Sequence, residues 1–441
     1  MIEKNKMASS SKRKTRFVDA RSVVLKLLRS TRQLPTRRFA SAADRDGLVG
    51  RDRALARELL SGVLRHQRSL DALYMPLVRR QSIDPLVRWV LRLAVYQLFY
   101  LDRIPPHAAI DATLNAGREM LRHAVGFANG VLRNVERATG GDYAGYMRKC
   151  FDECSDDPNE RLAIEFSYPT ELVCAWINEV GEEVAIARMK VFNKTPPLTL
   201  RANRLQSSRE EVVAAFTEAK IEVETISDNA LLLKRARINP TELPGYAEGW
   251  WSVQDLTSQE TIALAAPVAG ERILDYCSAP GGKAFAALEI ADGKAEVVAC
   301  DNDQNRLEKI PPEAARLRHK LKTIVIGDDG SGVPDGEWDL ILLDVPCSNT
   351  GVLGRRAEAR WRYCADFIDG LLNQQKLIIE LAAKHRGEKT RVLYSTCSLE
   401  PEENSAMAAY AANLMGLTIA EERKFEPDET RSGGYAALLI P

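Results

Sequence analysis

Two short segments place thiols where they could act as nucleophiles. Asp344-Val345-Pro346-Cys347-Ser348 follows the apolar run 340–343, and Tyr394-Ser395-Thr396-Cys397-Ser398 follows the strand-like run 391–393. A cysteine just past the carboxyl end of a buried strand sits where open α/β sheets hold their ligands. A third segment, Asp275-Tyr276-Cys277-Ser278-Ala279-Pro280-Gly281-Gly282-Lys283, follows another such run. Its glycines let the backbone approach a ligand closely. Its lysine adds positive potential that lowers a nearby thiol pKa, and the thiolate is the nucleophilic form. Asp344 adds a carboxylate beside Cys347.

The elements that must carry these residues alternate along the C-terminal part. Strand candidates are Arg272–Asp275, Glu296–Asp301, 323–326, 338–344 and 391–395, with helices of ordinary length between most of them. The pattern predicts a doubly wound, mainly parallel sheet. The glycine segment is neither Gly-x-Gly-x-x-Gly nor a phosphate P-loop. Asp301 ends the second strand, 26 residues after Asp275. A carboxylate there can accept from both ribose hydroxyls, as in dinucleotide sites, and a nicotinamide cofactor would use it equally well. Asp328 follows the next strand and could accept from an adenine amino group. Aspartates at strand ends also serve as turn formers and caps.

Upstream the pattern changes. Residues from about 16 to 140 read as helices: Val23, Val24, Leu27 and Leu28 share a face, as do Ala56, Leu59, Leu60, Val63 and Leu64. Asp84-Pro85 reads as an N-cap followed by proline at the first helical position. The acidic stretch 152–157, ending at Pro158, reads as a linker. Beyond it, a helix after Tyr168-Pro169, a strand at 199–203, helix 208–219 and strands near 221–226 and 230–234 suggest a small α+β module. The expected organisation is 1–150 helical, 160–250 the small module, and 251–441 the doubly wound domain.

Charge divides the same way. The formal net charge is zero, yet residues 1–149 carry 29 Lys+Arg against 13 Asp+Glu, and the remainder carries 32 against 48. The basic N-terminal part is suited to a polyanion, with Lys12-Arg13-Lys14-Thr15-Arg16 and Arg37-Arg38 its densest points; a solvated basic helical surface is the alternative. No apolar run reaches the roughly 20 residues of a membrane span, and the basic, polar N-terminus has no apolar signal region. These features predict a cytoplasmic protein without membrane attachment. Among the eight cysteines there is no Cys-x-x-Cys pair, nor any histidine at zinc-ligand spacing, so no metal is expected. Cys150, Cys154, Cys174, Cys300 and Cys364 read as small buried hydrophobes.

The three motifs, in this order, resemble the RNA cytosine-C5 methyltransferases, most closely the Sun/RsmB (Fmu) group of the NOL1/NOP2/Sun superfamily, which modifies bacterial 16S rRNA. Leu91-Arg92-Leu93-Ala94-Val95-Tyr96-Gln97-Leu98 and Gly126-Phe127-Ala128-Asn129-Gly130-Val131-Leu132-Arg133-Asn134 resemble the NusB-like RNA-binding domain of that group. The middle module then corresponds to a small RRM-like module, although no aromatic-rich strand marks it as a stacking platform. The resemblance covers nearly the whole chain. It implies an α/β fold with a Rossmann-like methyltransferase domain, S-adenosylmethionine as cofactor, and 16S rRNA, naked or in early assembly, as partner of a monomer. The family's Thr-Cys cysteine is the nucleophile, here Cys397. Its Pro-Cys cysteine aids product release, here Cys347, with Asp344 and Lys283 completing the catalytic set. Cys277, Ser278, Ala279, Pro280, Gly281, Gly282, Lys283, Asp301, Asp328 and Asp344 match the cofactor-binding positions. Three departures stand out: Ala284 where the family has Thr, Ala357-Glu358 after Arg355-Arg356 where it has His-Pro, and Gly433-Gly434-Tyr435-Ala436 where it has Asp-Gly-Phe-Phe. Two other readings stay open on the residues alone: the same chemistry on tRNA or another rRNA site, and a non-catalytic RNA-binding or antitermination factor built on the helical domain.

Overall fold

The computed structural model describes residues 19–29, 35–79, 82–233 and 239–441. The basic run 12–16 and position 234 of the expected strand 230–234 lie outside the described residues. The chain forms two compact units, Met1–Asp156 and Asp157–Pro441. Among the described residues no helix is long and apolar enough to cross a membrane, and no group of three or more His, Cys, Asp or Glu is placed to hold a metal ion.

The described part of the first unit is helical. Pro85–Tyr100 is its central helix, started by Asp84, whose carboxylate accepts from the Leu86 N–H, and by Pro85 in the first turn. Val90, Leu91, Leu93, Ala94 and Val95 along it are fully buried. The two apolar faces expected around residues 23–28 and 56–64 also point inward, on helices Ala20–Arg29 and Gly50–Arg65. Gly62 is required by packing, since a Cβ there would fall 1.9 Å from the Tyr96 ring. Arg92 and Gln97, within the NusB-like stretch, are buried structural groups. Arg92 grips Asp71 through two bonds of 2.8 and 2.7 Å and also reaches Gln67. Gln97 donates to Thr113 and accepts from Arg21, each at 2.8 Å. Arg37 is exposed and Arg38 half-buried.

The second unit opens with helices Pro158–Glu165, Thr170–Val180 and Glu182–Asn193. Asp157, in the expected linker, caps the first of these. Four antiparallel strands follow: β1 Leu198–Ala202, β2 Val223–Thr225, β3 Ala230–Leu233 and β4 Trp251–Val253, in the order β2-β3-β1-β4. Helix Arg209–Glu218 carries a capping box between Ser208 and Glu211. Among the described strands β1, β2 and β3 carry no aromatic residue, and Trp251 on β4 is fully buried.

The large sheet has seven strands: β5 Arg272–Asp275, β6 Glu296–Asp301, β7 Lys322–Val325, β8 Leu340–Asp344, β9 Arg391–Thr396, β10 Thr418–Phe425 and β11 Gly434–Ile440. Their order is β10-β11-β9-β8-β5-β6-β7. The strands from β7 across to β9 are parallel; β11 pairs antiparallel with β9, and β10 with β11. Both faces are covered. Leu274, Ile341, Leu343 and Val392 join one core cluster, while Ile273, Leu340, Leu342 and Leu393 join the other. Period-two alternation in an almost wholly apolar strand therefore serves two layers, as a doubly wound sheet requires. The chain runs outward from β5 to β7 and returns across to β8. The strand order thus reverses between β5 and β8, and the crevice at their carboxyl ends is the expected ligand position.

Two expectations need correction. The sheet is longer than five strands, because the hairpin β10–β11 extends it past β9. Cys364, expected in the core, is exposed at the start of helix Ala365–Ala383; Cys150, Cys154 and Cys174 are half-buried, and Cys300 alone of that group is fully buried.

Candidate active site

Asp275 and Asp344 end β5 and β8 at the reversal point, with Leu342 opposite Asp275 in register. Between them lies a cavity of about 240 Å³ whose walls include Asp275, Cys277, Ser278, Ala279, Pro280, Gly282, Lys283 and Asp344. The loop after β5 is held by its neighbours. Ser278 N–H donates to Cys300 O at 2.8 Å, and Ala279 N–H to Asp301 Oδ2 at 3.2 Å. Gly281 has φ +97 and donates its N–H to Ser278 O, a left-handed turn that a side chain would strain. Helix Gly282–Ile290 then begins at the cavity, with Lys283 in its first turn.

Lys283 Nζ meets Asp344 Oδ2 at 2.7 Å, and Ser395 donates to the other Asp344 oxygen at 3.0 Å. Burial opposes the lysine's charge. Asp344 outweighs it, with Cys397 and Asp275 adding, so its pKa lies above the ordinary lysine value. Asp275 is 1% exposed, and neither carboxyl oxygen makes a hydrogen bond. Burial raises its pKa to about 7; Asp344 and Asp301 push the same way, against Lys283 and the nearby Ser278 hydroxyl. The Ser278 hydroxyl is likewise buried without a partner. Buried polar groups left unpaired beside a cavity mark a surface built for a ligand.

The two thiols stand next to this cavity. Ser395 pairs with Asp344 across β8 and β9, so Cys347 and Cys397 leave neighbouring parallel strands side by side. Their sulfurs are 3.2 Å apart. The pair is polarised. Cys397 lies below the usual thiol range: the hydrogen bond from Cys347 is the main cause, Arg356 and Lys283 add to it, and burial and Asp344 oppose it. Cys347 is pushed well above that range by the same bond, by burial and by the Glu403 carboxylate. Asn349, at φ +65, lies between the two turns; its amide reaches Cys347 O, Cys397 Sγ and Arg356.

The sequence-predicted residues thus divide. Cys277 to Pro280, Gly282, Lys283 and Asp344 line one cavity, and Gly281 shapes its loop. Cys347 and Cys397 meet beside it. Asp301 and Asp328 lie off its walls. Asp301 is committed to the loop, accepting from Ala279 N–H, Asp303 N–H and Arg306. Asp328 is exposed and accepts from Asn302 at 2.9 Å. Three participants carried no signal of their own in the sequence reading. Asp275 stood there as the first residue of the glycine motif, and Arg356 as part of a divergent segment. The third is Arg201 of β1, which pairs with Glu289 through bonds of 2.8 and 2.7 Å and donates to Gly282 O at 3.1 Å. Gln254, just after β4, donates to the same carbonyl at 3.0 Å and lines the cavity. The middle module therefore builds part of the wall.

A doubly wound sheet with its glycine loop, cavity and carboxylates at the reversal point defines a Rossmann-like cofactor-using enzyme. The solved structure described as PH0851 superposes with TM-score 0.76 over 96% of this chain and 99% of its own, at 21% identity. The family profile "16S rRNA methyltransferase RsmB/F" matches residues 262–432, the NusB family 18–137, and the RsmF/B-like ferredoxin-like domain 168–238. Ribosomal RNA small subunit methyltransferase B of Klebsiella pneumoniae subsp. pneumoniae is 35% identical over 369 residues, 81% of each chain. Its counterpart in Shewanella oneidensis is 35% identical over 393 residues, 85% of each. The chain belongs to the RsmB/F family of 16S rRNA methyltransferases.

Proposed function

We propose that the chain transfers a methyl group from S-adenosylmethionine to C5 of a cytosine in 16S rRNA, through a transient bond between Cys397 and C6 of that base. The observation that carries this reading is the thiol pair, 3.2 Å apart at the ends of adjacent strands, beside a carboxylate-lined cavity with a glycine loop. The cavity residues fit the cofactor. Its ammonium and sulfonium are cationic, and Asp275 offers two buried oxygens without partners. Bound there, S-adenosylmethionine supplies an electrophilic methyl group.

The protein residues account for the rest. C5 of cytosine is a poor nucleophile until a thiolate adds to C6, which splits one hard step into easier ones. Cys397 is the attacking group, kept nucleophilic by the Cys347 S–H and the cations of Arg356 and Lys283. Asp344, held by Lys283 and Ser395, takes the N3/N4 edge as that edge gains electron density. After C5 is methylated, a base, finally solvent water, takes its proton; the electrons of that C–H bond form C5=C6 as the S–C6 bond breaks, restoring the aromatic ring and the thiolate, and Cys347 serves that release. A buried thiol requires the base to leave its stack. The basic NusB-like unit supplies sequence-independent affinity for the RNA backbone.

The test is methyl transfer to 16S rRNA read by bisulfite sequencing, with two variants. Cys397→Ala should form no adduct and transfer nothing. Cys347→Ala should accumulate an RNA–protein adduct that survives denaturing electrophoresis. An adduct formed by Cys397→Ala instead would reverse the two roles, and full activity in both variants would end the reading.

A further inference from the structure

Each cysteine of the pair is followed by a serine, and both serines reach one carboxylate. Ser348 donates its N–H to Glu403 Oε1 at 2.9 Å and its hydroxyl to Oε2 at 2.5 Å. Ser398 donates its hydroxyl to the same Oε2 at 2.6 Å. Gln375 Nε2 bridges Glu403 Oε1 and Pro346 O, each at 3.0 Å. Tyr394, on the strand that leads to Cys397, donates to the Glu403 carbonyl at 2.7 Å. Glu403 is 0% exposed. A carboxylate so far from water is costly unless donors surround it, and here four of them do, drawn from both cysteine turns and from helix Ala365–Ala383.

We propose that Glu403 is a positioning residue: its buried carboxylate gathers the two Cys-Ser turns, sets the separation of the thiols, and keeps Cys347 the proton-bearing member of the pair. The inference rests on the reading of Cys397 as nucleophile. Its physical content is an asymmetry of charge across 3.2 Å. Arg356, Lys283 and Asp344 face Cys397, whereas Glu403 and Tyr394 face Cys347. Two cations, Arg356 and Lys283, and one carboxylate, Asp344, therefore stand on the side of the attacking sulfur, while Glu403 stands behind the other. Replacing that anion by a neutral amide of the same size weakens the preference for which sulfur holds the proton.

The full chain, treated with iodoacetamide between about pH 6 and about pH 9, reads the preference directly, because alkylation follows the thiolate fraction. Peptide mass mapping gives the rate at each cysteine. In the unsubstituted protein Cys397 should react at least about tenfold faster than Cys347, and in Glu403→Gln that ratio should fall by about tenfold, the equivalent of one pKa unit. S-adenosylmethionine affinity should stay within about twofold, which a general collapse of the site would not allow. If Glu403→Gln does not fold, Glu403→Asp draws the carboxylate back from the Cys347 turn and should lower the ratio by a smaller factor. An unchanged ratio in a folded variant overturns this inference alone. Absence of any preference for Cys397 in the unsubstituted protein overturns the nucleophile assignment and this inference with it.

Discussion

In the helical unit the buried Arg92 and Gln97 are each matched by several partners. Arg92 is matched by Asp71 and Gln67, and Gln97 by Thr113 and Arg21. In the larger unit Arg201 and Glu289 form a similar buried pair, joined by His319 through Nε2, but the carboxyl oxygens of Asp275 and the Ser278 hydroxyl have no partner. Satisfied networks fix how elements pack; unsatisfied ones beside a cavity await something from outside. On the proposed function the two units have different work: the first would bind RNA through its basic surface, and the second would do chemistry in its interior.

The largest expected effect lies in the second unit. Cys397→Ser keeps the shape of the turn but replaces the thiol by a hydroxyl that does not ionise, so methyl transfer should fall roughly a thousandfold or more while RNA affinity is retained. A loss below tenfold in a quench-flow or filter assay would break the division of labour.

The next concerns the unpaired carboxyl. Asp275 is raised from 3.8 to about 7 in the folded chain. Between those values the unfolded state has released the proton and the native state has not, so stability falls as pH rises through that window and levels above it. The full cost is on the order of 4 kcal/mol. Denaturation of the cofactor-free protein at several pH values should show this decline, and Asp275→Asn should reduce it. Glu400, also raised to about 7 by burial, will preserve part of the slope. Equal slopes in the two proteins would mean that the Asp275 carboxyl ionises freely.

Removing residues 1–156 tests the other side. RNA affinity should drop roughly a hundredfold at low salt and become less salt-dependent, because phosphate contacts that release counterions are lost. Cofactor binding, measured by calorimetry, should be unchanged. A truncated protein that binds RNA as tightly as the full chain would move the RNA site to the catalytic unit. The smallest effect is expected for Asp301→Ala, where the Ala279 N–H loses its acceptor and cofactor affinity should fall by about 1–2 kcal/mol.

Much of this was legible because the signals were local. The apolar runs before Asp275, Asp344 and Cys397 could scarcely be anything but central strands, and their carboxyl ends located the site. What escaped depended on partners distant in sequence. β10 leaves seven of its eight residues exposed, and its charged run 421–424 gives no strand pattern; pairing with β11 makes it one. Glu403 follows the exposed Glu402, and nothing local says which of the two turns inward; Ser348 and Ser398 decide it. Asp301 read as a ribose partner from its place at a strand end, and the structure adds that its oxygens already hold the glycine loop.

β11 has a consequence for the turn that carries Cys397. It enters the sheet between β9, which leads to Cys397, and β10, which precedes it in the chain. Just before it, Gly433 donates its N–H to Gly351 O at 2.7 Å, while Gly351 donates to Cys397 O at 3.0 Å; a Cβ on Gly434 would lie 2.9 Å from Thr396 O. Residues 433–440 therefore form one wall of the turn bearing Cys397. Without them β9 keeps an open edge, the kind of surface on which strands from other chains add. A chain that ended before residue 433 would leave that edge of β9 unpaired and the Cys397 turn without its Gly433–Gly351 contact.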